Sequence, residues 1–130
     1  MILLDENIPE TQRQLLKWWR IRVKQIGQDI GFQGMQDDDQ IIPLLRSLRQ
    51  PTFFTRDLGF YDRRLCHRNY GIVCMAIGPS EVATFLRRLV RHRAFATKAN
   101  RMGKVIRLTE TRIHFWKPRA AQEIDVAWDD

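Results

Sequence analysis

The sequence predicts an α/β fold built on a mostly parallel sheet with helices on both faces. Two observations carry that expectation. Short buried-strand runs ("ILLD", "PTFFT", "GIVCMAI") alternate with segments of helical apolar spacing, which is the pattern of repeated βαβ units. The first two of these runs also lead straight into polar residues, "DEN" and "RD", as strands do when they deliver side chains to one end of a sheet. A chain of 130 residues with 44% hydrophobic content fits one compact core.

Taken in order, Ile2 to Asp5 reads as a short buried strand, and Pro9 suits the first turn of the helix that follows. That helix runs through "ETQRQLLKWW" with Leu15, Leu16 and Trp19 inward, and "IRVKQI" then alternates like a strand. The stretch "GQDIGFQGMQDDDQ", with Gly27, Gly31 and Gly34, is irregular until Asp37 or Asp38 caps a helix through "QIIPLLRSLR", in which Pro43 must fall in the first turn or two. "PTFFT" is the next strand, and Asp57 is placed to open a helix over "LGFYDRRL". "GIVCMAI" follows as a third buried strand. "SEVATFLRRLVRHR" reads as an amphipathic helix with Ser80 as N-cap and Val82, Phe85, Leu86 and Leu89 as its inner stripe. "KVIRLTETRIHFWK" reads as a hairpin on one edge of the sheet. The domain is expected to span 1–118. The acidic segment 119–130 either is disordered or folds back through Asp125, Asp129 and Asp130 with Trp128 as an apolar anchor.

Composition removes several function classes. No run of about 18 apolar residues is present to span a bilayer, and Asp5 interrupts the N-terminal apolar run too early for a secretory signal, so a cytoplasmic protein with no membrane partner is expected. Cys66 and Cys74 form neither a disulfide framework nor a zinc pattern and read as partly buried thiols. His67, His92 and His114 follow no metal or nucleophile motif and read as surface or interface residues, and no glycine-rich phosphate loop follows a strand. Trp18, Trp19, Trp116 and Trp128 read as core residues in preference to base-stacking platforms. The charge points elsewhere: 22 Lys and Arg against 15 Asp and Glu give +7, which favours a polyanionic partner. From Val82 through Thr109 there are eight basic residues and no acidic one, with Arg87, Arg88, Arg91 and Arg93 close together. That segment is either a solvated face or a surface lying along phosphates.

The acids gather at strand ends. Asp5 and Glu6 close the first strand, Asp57 follows "PTFFT", and Asp38 stands at the start of the intervening helix. Each alone is accounted for as a helix cap; together, at the carboxyl edge of one sheet, they repel unless a cation such as Mg²⁺ or Mn²⁺ joins them.

"LLDENIP", "GMQDDDQI", "FFTRDLGF" and "GIVCMAI" together resemble the DUF5615 PIN-like family, related to the Mut7-C domain, over roughly residues 1–116. The resemblance implies a PIN-like three-layer α/β/α sandwich with a mostly parallel sheet and a C-terminal hairpin or edge strands. It also implies a metal-dependent endoribonuclease, the toxin of a toxin–antitoxin pair, whose partners are RNA and a small helix-turn-helix antitoxin; a homodimer is an open assembly state. By position, Asp5, Asp38 and Asp57 match the family's metal-binding aspartates, with Asp37 and Asp39 as alternatives to Asp38, and Glu6 and Asp62 are secondary candidates for the catalytic set. Arg56, Arg87, Arg88, Arg91 and Arg93 would hold the RNA backbone. The family's "TxDxDF" is "TRDLGF" here, so Gly59 stands where a second acid is expected. The alternative is therefore a catalytically degenerate module that binds RNA or an antitoxin without cleavage.

Overall fold

The computed structural model describes residues 1–129, the side chains of Asp37 and Asp38 excepted. The expectations resting on those two side chains and on Asp130 lie outside the described residues.

One seven-stranded sheet organises the chain, in the order β2-β1-β3-β4-β5-β6-β7. Strands β1 (Ile2–Leu4), β2 (Lys24–Gln25), β3 (Thr52–Thr55), β4 (Gly71–Met75) and β5 (Val105–Leu108) run parallel. Strands β6 (Arg112–Trp116) and β7 (Ile124–Ala127) continue it antiparallel. The parallel strands β3 and β4 are buried on both faces, which is why their sequences show no alternation. Helices α1 (Glu10–Trp18) and α3 (Val82–Arg91) cover one face, where Leu16, Leu86 and Leu89 meet Leu4, Phe54 and Val73. Helix α2 (Ile42–Ser47) covers the other, with Ile42 and Leu45 against Leu3, Phe53 and Ile72. The result is an α/β/α arrangement of three layers. Side chains of this size each contribute roughly 1.5–3 kcal/mol when fully buried.

Helix α3 forms as its spacing predicts, since Val82, Phe85, Leu86 and Leu89 are all buried. Ser80 does not cap it. It lies inside a 3₁₀ turn, Pro79–Glu81, in which the Glu81 carboxylate reaches back to accept from Gly78 N–H at 3.3 Å. Asp37–Ile41 forms a π-helical turn leading directly into α2, with Pro43 tolerated near its start.

Three expectations are corrected. The predicted helix over "LGFYDRRL" is instead two 3₁₀ turns, Leu58–Phe60 and Arg63–Leu65. Asp57 and Asp62 each accept from the N–H two residues on, and such local bonds compete with a continuous helix. The β5–β6 hairpin is not the sheet's edge, because Ile124–Ala127 adds β7 outside it. His92 is not a surface residue: it is 1% exposed. Its Nδ1 accepts from Ala94 N–H, and Nε2 lies 2.9 Å from Ala127 O, so the ring joins the end of α3 to β7. No helix among the described residues is long and apolar enough to cross a membrane.

Candidate functional site at the carboxyl ends of β1 and β3

The pairing of β1 with β3 brings Asp5 beside Thr55, and Asp5 N–H donates to Phe54 O at 2.9 Å. Asp5 is almost fully buried. Glu6 N–H donates to its Oδ1 at 2.8 Å, and the Thr55 hydroxyl donates to its Oδ2 at 2.6 Å. The same Thr55 oxygen accepts from Asp57 N–H at 3.0 Å. One buried hydroxyl therefore ties the two aspartates together. Burial pushes the Asp5 carboxyl above its ordinary pKa, the Thr55 and Glu6 hydrogen bonds oppose that, and the nearby Asp57 charge reinforces it. Asp57 is exposed; its Oδ1 accepts from Gly59 N–H at 2.9 Å, whereas Oδ2 has no hydrogen-bond partner among the described residues.

The other acids are engaged elsewhere. Glu6 turns away from Asp5, and both its carboxylate oxygens accept from Gly34 N–H at 2.9 and 3.0 Å. Asp62 is paired with Arg64 at 2.7 Å, and that guanidinium holds its pKa below the usual carboxylate value. The backbone of Asp38 lies in the π-helical turn before α2, and its side chain is outside the described residues. Among the described residues, no three His, Cys, Asp or Glu side chains come together as a metal-holding group. Asp5 and Asp57 form a pair. A Cβ at Gly59 would stand 3.0 Å from Asp57 Oδ1, so that exposed carboxylate would have to give by a few tenths of an ångström.

Gln25 on β2 fixes the chain that carries these acids. Its amide donates to the carbonyls of Asp5 at 3.0 Å, Glu6 at 3.3 Å and Ile8 at 3.0 Å. The turn after β1 is thus held from the side by one buried side chain.

Sequence reasoning missed a polar row along this end of the sheet. Thr55 pairs with Cys74, Cys74 with Arg107, Arg107 with His114 and His114 with Asp125, so these side chains lie on one level and one face. Cys74 is fully buried, and burial pushes its thiol up to about 12. Arg107 lies over the Tyr61 ring at 5.1 Å, and its buried Nε has no partner among the described residues. Tyr61 donates to Glu123, and burial with that carboxylate raises the phenol's pKa. The one available signal was Arg107 itself, a cation inside the apolar run "VIRL".

The predicted RNA-binding arginines have different individual contacts. Arg56 donates through Nε to Ile77 O at 3.0 Å. Arg87 stacks on Trp19 at 3.6 Å, and Arg88 lies over Phe85 and Trp128. Arg91 and Arg93 are exposed at the end of α3. Trp18, expected in the core, is 82% exposed.

No family model matches this chain, and neither the curated proteins nor the solved structures contain a match.

Proposed function

We propose that the protein is a PIN-like, metal-dependent endoribonuclease whose site is the Asp5–Asp57 pair, and that it acts as the toxin of a toxin–antitoxin pair. The observation that carries this reading is the Thr55 bridge, which joins the Asp5 carboxylate to the Asp57 backbone N–H, so that the two acids lie within mutual electrostatic reach at the carboxyl edge of a parallel sheet. Such an edge is where ligands bind in open α/β sheets. The donor set suits a hard divalent cation: Asp57 Oδ2 is unpaired among the described residues, and the like-charge repulsion on Asp5 is what a cation would relieve. Asp5 and Asp57, with Asp38 from the turn before α2 as the resemblance implies, would hold Mg²⁺ or Mn²⁺. When bound, such an ion activates water and stabilises the departing oxygen at a phosphodiester.

The chain's own groups divide the remaining work. Thr55 orients Asp5 by its hydroxyl proton, and Gln25 fixes the backbone behind it. Arg107, on the same face two strands from Thr55, carries a buried Nε–H with no hydrogen-bond partner among the described residues, and its cation adds positive charge at this level of the sheet. Arg91 and Arg93 would add phosphate contacts that carry no sequence information.

The test is cleavage of single-stranded RNA with Mn²⁺ by the wild type, Asp5→Asn and Asp57→Asn. Both variants are expected to lose on the order of a hundredfold or more while remaining folded. Equal activity in all three would remove the assignment. A second reading, a degenerate module that binds RNA or an antitoxin without cleaving, is favoured by Gly59 and by the engagement of Glu6 and Asp62 in structural contacts. Millimolar Mn²⁺ separates the two, because an ion bound to the native state must raise its melting temperature, and no rise favours the second.

A further inference from the structure

The opposite end of the sheet carries a different feature. The start of β1, the end of α1 and the strand segment leading into β2 enclose a groove of about 830 Å³. Its lining includes Arg13, Lys17, Arg20, Arg22 and Lys24 and no acidic residue. Arg13 is paired with Glu10 and Asp29, but Lys17, Arg20, Arg22 and Lys24 are exposed and have no acidic partner among the described residues. Stabilisation of a helix C-terminus by cations explains Lys17 at the end of α1. It does not reach Arg22 or Lys24, which lie outside the helix.

The backbone aligns these charges. From Ile21 to Lys24 burial alternates, with Ile21 and Val23 half-buried and Arg22 and Lys24 exposed, and the chain enters β2 at Lys24. Arg22 and Lys24 are two residues apart, so their backbone positions lie at most about 7 Å from each other. That is the length scale of one sugar–phosphate repeat in an extended strand. Trp18 lines an adjoining hollow that shares Gln14, Lys17 and Arg20 with the groove, and its indole is 82% exposed. A large bare aromatic beside a row of unpaired cations is the combination that single-stranded nucleic acid uses, phosphates on the row and a base on the ring.

Among the described residues Arg20 is one of three non-glycine residues with positive φ, beside Gln50 and Arg119. It ends α1 at φ 61°, with Arg20 N–H donating to Lys17 O and Ile21 N–H to Leu16 O, the helix-ending arrangement that favours glycine. The chain keeps a cation there at a cost in backbone strain of about 1 kcal/mol. A peptide partner is less suited: the adjacent edge strand β2 offers only two residues for strand addition, and a flat exposed indole is not a side-chain pocket.

We infer that this groove is a binding site for single-stranded nucleic acid, with Arg20, Arg22 and Lys24 on the phosphates and Trp18 stacked on a base. It lies at the amino ends of the strands, away from Asp5 and Asp57, so it holds a strand without cutting it. The experiment titrates a short fluorescein-labelled oligouridylate, with oligodeoxythymidylate in parallel to tell RNA from DNA as the source and polyglutamate as the peptide probe. Wild-type affinity is expected to fall with salt at a log–log slope of about −2 to −3. Trp18→Ala is expected to weaken binding about tenfold. Arg22→Glu with Lys24→Glu should weaken it more than the charge-matched pair Arg49→Glu with Arg119→Glu. Arg20→Gly should weaken binding while raising stability, opposite signs that a merely structural arginine would not give. Asp5→Asn should bind as the wild type, so loss of cleavage and loss of this site are separable. Wild-type affinity in the groove variants, or polyglutamate binding as tightly as the oligonucleotides with no effect of Trp18→Ala, would overturn the assignment.

Discussion

Thr55 has one hydroxyl proton, and it goes to Asp5 Oδ2 while the oxygen accepts from Asp57 N–H. Removing it with Thr55→Val deprives the buried carboxylate of a bond that favours its charged form, so the Asp5 pKa should rise further above its ordinary value. The sign for stability follows from linkage. An acid whose folded pKa is raised holds its proton more tightly when folded, so its contribution is greatest below the unfolded pKa and is lost as pH rises through the folded one. Thr55→Val should therefore cost about 1.5–3 kcal/mol near neutral pH and less below that window. A carboxyl-carbon NMR titration of Asp5 with urea melts at two pH values checks both, and an unmoved Asp5 midpoint would show that the hydroxyl does not govern it. At this scale the sequence shows Asp5, Glu6, Asp57 and Asp62 as equivalent acids near strand ends. What separates them is partners that sequence spacing does not reveal: Gly34 N–H lies 28 positions from Glu6, and Thr55 lies 50 from Asp5.

Strand β7 shows why one element was legible only in outline. Ile124, Val126 and Trp128 recur every second residue and pack against the core that holds Phe85, Ile113 and Phe115, but the intervening acids mask the alternation. Those acids have partners: Arg112 binds Asp125 at 2.8 Å, and Arg93 N–H donates to Asp129 at 3.3 Å. The Trp128 indole donates to Thr109 O at 2.9 Å and lies beside Phe85 and beneath Arg88. Of the two readings open for the acidic segment, the structure shows the fold-back for Asp125 and Asp129. Trp128→Ala is expected to lower stability by about 2 kcal/mol, and ending the chain after Pro118 by more, both measured as urea midpoints. Unchanged midpoints in both would mean that β7 is not part of the cooperative unit. The strands β1, β3 and β4 and helix α3 were read correctly because each is long or apolar enough for period alone to decide. The 57–65 segment was not, because two aspartates bond locally where helix geometry alone gave a plausible alternative.

Across the whole molecule, stability should be graded from the middle of the sheet outward. Strands β3 and β4 are buried along their full length, while β2 has two residues and β7 is half exposed. Native-state hydrogen exchange should find the slowest amides in β3 and β4 and the fastest strand amides in β2 and β7. Slowest exchange in β7 would contradict that order. The parallel topology and its order were legible in outline from alternating strand and helix patterns. The level of each residue across the sheet was not, because the row from Thr55 to Asp125 depends on four separate registers.

The grip of Glu6 on Gly34 has a consequence for how this chain tolerates change. Surface loops ordinarily accept added or deleted residues, and the glycine-rich stretch after β2 resembles such a place. Here one amide in that stretch is clamped by a carboxylate next to Asp5, and Gly31 holds φ +66°, a conformation that L side chains rarely adopt. The segment joins β2 to the turn bearing Asp37 to Asp39 and is pinned midway to the end of β1. An epitope tag or a graft belongs in some other loop.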